Sequence, residues 1–258
     1  MLALQLRDMS DILSAVDCHR FEGVFIGRTA DSDCLLTVNS FPGASGLVGG
    51  DRLCVLANDV DNTVYRVWNP FNCCLGAAII GGTHGMHISR GSKVLFIADS
   101  HGGSASPAVT LSHISDLVGP LGHVFAVVFG EDALNSSAIQ VRENITPIAG
   151  KGQNPVDYQQ LIDGPVDILY VHMSQCEDIE HVNAAVDNAH LFLRDDGKGY
   201  FMVVINASDA RNDQAAEVVF SRVRCALKEL GHLVPKEQLT LEPFFARHAL
   251  LQGSYEPR

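Results

Sequence analysis

The distribution of apolar residues changes character near residue 67 and divides the chain into segments 1–66 and 67–258. In the first segment the apolar runs are short: Phe21–Ile26, Cys34–Val38, Arg52–Leu56 and Thr63–Val67, separated by polar clusters such as Ala30-Asp31-Ser32-Asp33 and Gly46–Asp51. Short runs set between Gly, Asp and Asn clusters predict a small β-rich unit with hairpin-like connections. In the second segment Lys93–Ile97 and His123–Phe129 are unbroken apolar stretches, as expected of strands buried on both faces of a parallel sheet. Asn144–Ile148, Val166–Val171 and Tyr200–Ile205 read the same way. Helical stretches fall between them near Leu111–Val118, Val182–Leu193 and Gln214–Leu230, the last with Val218, Val219, Val223 and Leu227 at helical spacing. This alternation predicts an α/β fold with a doubly wound, mostly parallel sheet and helices on both faces. Leu239–Glu242 and Ala249–Tyr255 predict an antiparallel closure at the sheet edge.

Ligands of such sheets bind outside the carboxyl ends of the strands, so the residues that follow each apolar run are the candidates for chemistry. The first run leads into Ala98-Asp99-Ser100-His101-Gly102-Gly103-Ser104, which either lets backbone N–H groups approach a ligand or only makes a tight reversal. The second ends apolar, in Val128-Phe129-Gly130, where a nucleoside cofactor normally finds a carboxylate for its ribose hydroxyls; Glu131 and Asp132 come too late. Val171-His172-Met173-Ser174-Gln175 offers His172 either as a general base or as a hydrogen-bonded structural residue. Ile205-Asn206-Ala207-Ser208-Asp209 is polar without a cation, and His248 precedes the last apolar run. His84 and His87 stand at i,i+3 without a supporting carboxylate pair, and no metal site is expected.

Composition narrows the functional classes. Apolar residues make up 47% and charged residues 19%, enough for a core along most of the 258 residues. No apolar run approaches the roughly 20 residues of a membrane-spanning helix, and no membrane partner is expected. Eighteen Lys and Arg against 30 Asp and Glu give a net charge of −12, which disfavours autonomous binding to a phosphate polymer. Lys151, Arg222, Arg224 and Lys228 are the residues that could form a local basic patch. Seven cysteines, with Cys73 and Cys74 adjacent and no CxxC, point to reduced thiols and an intracellular protein. Asp8, Asp11 and Asp17 within Met1–Arg20 are unlike a mitochondrial presequence.

Tyr65-Arg66-Val67-Trp68-Asn69-Pro70-Phe71 resembles the YRxWNPF signature of the fibrillarin family, the RNA 2′-O-methyltransferases of box C/D ribonucleoproteins. The likeness continues in Gly91–Leu95, Leu111–Pro120 and Asn188–Arg194 and is strongest in Glu237-Gln238-Leu239-Thr240-Leu241-Glu242-Pro243. It opens at His19–Phe25 and stays in register to about Tyr255. The resemblance implies a small N-terminal β domain (1–66) and a Rossmann-like S-adenosylmethionine-dependent methyltransferase domain (67–258).

The departures from that family fall on its functional positions. A family lysine is Cys74 here, and the family aspartate and second lysine are His172 and Asn206; of that set only His248 remains as in the family. The implied cofactor positions are Ala98, Gly102, Thr110, Val128, Lys151 and Gln175; Val128 and Lys151 replace acidic residues, and extra residues lie around Gly103–Ala108. The 2′-hydroxyl is a weak nucleophile that needs positioned charges to react. Neutral Cys74 and Asn206 supply none. The expectation is therefore a pseudo-methyltransferase that is not an enzyme and needs no cofactor, retained as a structural component of a ribonucleoprotein or ribosome-assembly particle. The alternative is an active, divergent S-adenosylmethionine-dependent rRNA 2′-O-methyltransferase with His172 and His248 in altered roles; a third reading is a binding module whose remodelled Gly102–Ala108 loop accepts another ligand. Implied partners are a box C/D-type scaffold protein or other ribosome-assembly proteins, with RNA contacted indirectly or weakly. The family's Gly/Arg-rich tail is absent, and the implied location is the nucleolus, with the mitochondrion as alternative.

Overall fold

The computed structural model describes residues 10–30, 32–41, 52–56, 59, 61–99, 107–129, 137–172, 178–208 and 214–257. Their strands form two sheets. The first holds β1 (Ser10–Leu13), β2 (Ala15–Cys18), β3 (Val24–Arg28), β4 (Asp33–Val38), β5 (Leu53–Leu56) and β6 (Val64–Val67) in the order β1-β5-β6-β4-β3-β2. All its pairs are antiparallel except β1–β5. The apolar runs locate β3 to β6, whereas β1 and β2 escape them because they are the two outer strands and carry exposed side chains such as Ile12 and Asp17. The Gly46–Asp51 cluster lies outside the described residues.

The second sheet carries the larger core. It comprises β7 (Lys93–Asp99), β8 (His123–Phe129), β9 (Ile145–Ala149), β10 (Ile168–His172), β11 (Tyr200–Asn206), β12 (Leu233–Thr240) and β13 (His248–Tyr255). Their order is β12-β13-β11-β10-β7-β8-β9, and β13 alone runs against its neighbours. Helices α1 (Cys74–Ile80), α2 (Pro107–Val118) and α3 (Ser137–Gln140) cover one face; a 3-10 turn (Pro155–Leu161), α4 (Asp178–Phe192) and α5 (Ala216–Gly231) cover the other. Strand periodicity sorts the two cores: Val94, Phe96, Val124 and Ala126 face α1 and α2, while Leu95, Ile97, Phe125 and Val127 face α4 and α5. On α5 the buried positions are Ala216, Val219, Phe220, Val223, Leu227 and Gly231; Val218, expected on the core face, is half exposed.

The chain leaves the first sheet through Arg66 and Trp68, and both are buried against α2. The Trp68 ring stacks on His113, 4.6 Å between centroids and 11° from parallel. Thr37 Oγ1 lies 2.9 Å from His113 Nδ1. Arg66 donates to the Asp116 carboxylate and, at 2.9 Å, to Ser112 Oγ. Arg142, just before β9, donates to the other Asp116 oxygen at 2.7 Å and to Ser115 Oγ at 3.1 Å. One fully buried carboxylate thus holds two buried guanidinium groups, and fixes the first sheet to the frame of the second.

Candidate active site at the carboxyl edge of the sheet

From the border between β7 and β10 the chain winds outward in opposite directions, through β8 and β9 on one side and β11 on the other. A crevice opens at such a switch point, beyond the carboxyl ends of the strands. The register shows what lines it. His172 pairs with Ala98 and Val204, Asp99 with Phe129, Val128 with Ala149, and Asn206 with His248. Ala98, Asp99, Val128, His172, Asn206 and His248 therefore stand along one edge, although the sequence scatters them over 151 residues. Gly102 and Gln175, with the rest of the loops after β7 and β10, lie outside the described residues, as do Gly130, Glu131 and Asp132.

His172 is the most enclosed polar group of this edge, 5% exposed. Burial pushes its pKa down to about 4; His248 and His181 add to the fall and the Asp99 carboxylate opposes it. The imidazole is thus neutral at pH 7. His248 donates from Nδ1 to the Ala246 carbonyl at 2.7 Å, which leaves Nε2 as its acceptor nitrogen, and burial lowers its pKa as well. Asn206 Oδ1 accepts from the Ser208 amide at 2.9 Å. Cys74 is fully buried in α1 and burial holds its thiol well above the usual range, so it is neutral. Thr110 is also fully buried, its Oγ1 3.2 Å from Cys73 Sγ, and its hydroxyl is committed to the core.

On the far side of the crevice the character changes. The Val128 side chain is buried and apolar, Phe129 is 41% exposed, and the Lys151 ammonium lies 4.9 Å from the Phe129 ring centroid. Arg222, Arg224 and Lys228 lie on α5, which packs on β12 and β13 at the opposite end of the sheet from β9 and Lys151, so these four cations form no single patch. Glu237 of β12 meets His84 at 2.8 Å, a carboxylate partner that the spacing of the two histidines does not reveal. Among the described residues no three His, Cys, Asp or Glu converge on a point that would hold a metal ion.

The strand order, the single reversed strand and the edge just described define a Rossmann-like S-adenosylmethionine-dependent methyltransferase fold. A sequence profile described as Fibrillarin matches residues 16–257, and the chain belongs to the fibrillarin family. It is 40% identical over 251 residues to the RNA 2′-O-methyltransferase FBLL1 of Mus musculus, covering 95% of this chain and 74% of that one. It is 39% identical over 247 residues to the rRNA 2′-O-methyltransferase fibrillarin of Rattus norvegicus, covering 94% and 70%. Among solved structures it resembles Aeropyrum pernix fibrillarin with natively bound S-adenosyl-L-methionine (TM-score 0.76, 29% identity, 95% and 99% of the two chains). A Methanococcus jannaschii fibrillarin, a pre-rRNA processing protein, gives 0.78 at 26% identity over the same shares. These relatives overturn the expectation of a pseudoenzyme: they carry the names of methyltransferases, and one holds the cofactor.

Proposed function

We propose that this chain is a divergent S-adenosylmethionine-dependent rRNA 2′-O-methyltransferase. The observation that carries the reading is the match along nearly the whole chain to a fibrillarin with S-adenosyl-L-methionine natively bound. The edge residues fit such a cofactor in two respects. Asp99 gives the crevice a carboxylate suited to a sulfonium cation, and the exposed Phe129 ring gives a flat apolar surface beside it. Val128 and Lys151 offer no acceptor for a ribose diol, so apolar and stacking contact takes a larger share of the binding. When bound, the cofactor supplies an electrophilic methyl group; Ala98, Asp99, Phe129 and Lys151 are the residues to hold it.

The substrate in this reading is ribosomal RNA, delivered by partners rather than captured by the protein's own charge, in keeping with the net charge of −12. A box C/D-type scaffold protein is the expected docking partner and the nucleolus the expected location. The two sheets support a division into a β-rich unit over 1–66 and a methyltransferase unit over 67–258. Calorimetric titration with S-adenosylmethionine, followed by transfer of a tritiated methyl group to a ribosomal RNA transcript in the presence of the scaffold protein, tests the reading. Saturable heat and label in ribose 2′-O-methyl groups are expected; no heat at millimolar cofactor overturns it.

A further inference from the structure

We infer that the cleft between the segment that follows α1 and strands β12 and β13 is a receptor site for an arginine side chain of a basic partner protein. The inference goes beyond the methyltransferase reading and does not depend on it. The cleft encloses about 390 Å³, and His84, Gly85, His87, Lys236, Glu237 and Gln252 are among the residues that line it. That volume lies in the range of small-ligand pockets. The cleft stands apart from the transfer edge, because Gln252 is four residues along β13 from His248, about 13 Å at the rise of a strand. It holds an unmet acceptor. Gln252 is 3% exposed, and its Nε2 donates to Thr83 Oγ1 at 2.7 Å and to the Glu237 carboxylate. An ionised carboxylate only accepts, so the amide cannot be turned over, and Oε1 is left buried without a donor among the described residues. Buried side-chain acceptors nearly always have a partner, so this one marks the place of a donor that arrives.

Charge and shape select a guanidinium. Burial would raise the pKa of Glu237, but hydrogen bonds from His84, Gln252 and Thr83 outweigh it, so the carboxylate is ionised at pH 7. Lys236 is balanced by Glu256 at 2.9 Å, and burial lowers the pKa of His87, so neither sets an unpaired positive charge against a cation. His84 donates from Nδ1 to Glu237 at 2.8 Å, and its side chain is 90% exposed, so it yields that place readily to a charged donor. The wall behind is fixed. Arg20 donates to the carbonyls of Gly82 and Thr83, and the His87 ring lies flat on Tyr200 with 3.7 Å between centroids. Gly85 keeps the centre open, since a Cβ there would stand 3.3 Å from His87 Nε2 and 3.7 Å from Gln252 Nε2. The planar fork of a guanidinium reaches the carboxylate and the amide oxygen together, whereas an ammonium is a point charge. A phosphate-bearing ligand would meet the Glu237 charge on a chain of net charge −12, which favours a basic protein over a nucleotide.

The test titrates the full chain by calorimetry with a blocked Gly-Gly-Arg-Gly-Gly peptide, its lysine counterpart and GMP, and follows the side-chain amide of Gln252 by nitrogen-15 NMR. The arginine peptide should bind saturably, about tenfold more tightly than the lysine peptide, and should shift the Gln252 amide signal. Gln252→Leu removes the unmet acceptor, and Gly85→Ala fills the centre of the cleft while leaving every polar group in place; each should weaken the arginine peptide by about tenfold. Thermal melting by circular dichroism establishes that each variant is folded, and Gly85→Ala decides the matter alone if Gln252→Leu is not. No saturation at about 10 mM arginine peptide, GMP binding as tightly as that peptide, or an affinity unchanged in the folded variants overturns the assignment. Methyl transfer is not read at any point, so a failure of the methyltransferase reading would leave this result as it stands.

Discussion

Replacing Asp116 by Asn keeps the size of the side chain and removes the charge that two arginines share. The Asp116 side chain is fully buried, and those of Arg66 and Arg142 are 2% and 1% exposed, so water cannot take its place. Removing one member of a buried ion pair costs about 3–5 kcal/mol, because the remaining charge is left without compensation. Here one carboxylate serves two guanidinium groups that would repel one another, which places Asp116→Asn at the upper end, about 5 kcal/mol. For a chain of this length that corresponds to a fall of roughly 10–20 °C in Tm. Urea denaturation followed by far-ultraviolet circular dichroism reads the loss directly. The triple variant Arg66→Met, Asp116→Leu, Arg142→Met removes all three charges and should lie within about 2 kcal/mol of wild type, since buried ionic groups are often replaceable by apolar ones of similar size. A loss below about 1 kcal/mol in Asp116→Asn would refute the argument, because the guanidinium groups would then have found other compensation.

The other predictions concern protons, packing and the cofactor. The folded-state pKa of His172 lies below its unfolded value, so its contribution to stability is complete above about pH 6.5 and is lost as pH falls toward 4; over that window wild type should lose roughly 3 kcal/mol more than His172→Gln in parallel urea titrations. His113, held well below its ordinary pKa by burial and by Arg66 and Arg142, acts in the same direction, and His113→Gln should flatten the acid limb further. A Cβ on Gly76 would stand 2.9 Å from Trp68 Nε1, against a ring already packed on His113, so Gly76→Ala should cost about 1–3 kcal/mol in calorimetric unfolding. Val128→Glu combined with Lys151→Asp should tighten S-adenosylmethionine binding by about 10- to 100-fold in titration calorimetry, the gain of a charge-assisted hydrogen bond; an unchanged Kd would show that the ribose is not bound at this end of β8.

The parallel strands were legible because burial on both faces leaves no polar position to interrupt them: β8 coincides with the run His123–Phe129. Elements bordering solvent were not. The first six residues of β12, Leu233–Gln238, alternate toward solvent at the open end of the sheet and include Pro235, Lys236 and Glu237, so only the end of that strand shows in its composition. Helix α1 failed for the opposite reason, because Cys74–Ile79 is buried all round and carries no amphipathic period. At the site, the identities of His172, Asn206 and His248 could be read from the chain. That Asn206 and His248 line up on the same edge as His172 comes from strand register, which local sequence does not encode. The inference that lost lysines meant lost chemistry treated each position alone, without the neighbours that the sheet brings to it.

Trp68 is the chain's single tryptophan, and it sits where the first sheet meets α2, 0% exposed, with its ring flat against His113. All indole emission from this protein therefore originates at one seam. Solvent reaching that seam would red-shift the band even while every strand of both sheets remained paired. The chain thus carries an intrinsic optical probe of how its two parts are joined, separate from any probe of whether each part is folded, and binding of a scaffold protein that loosened or tightened the junction could be followed by that signal without a label.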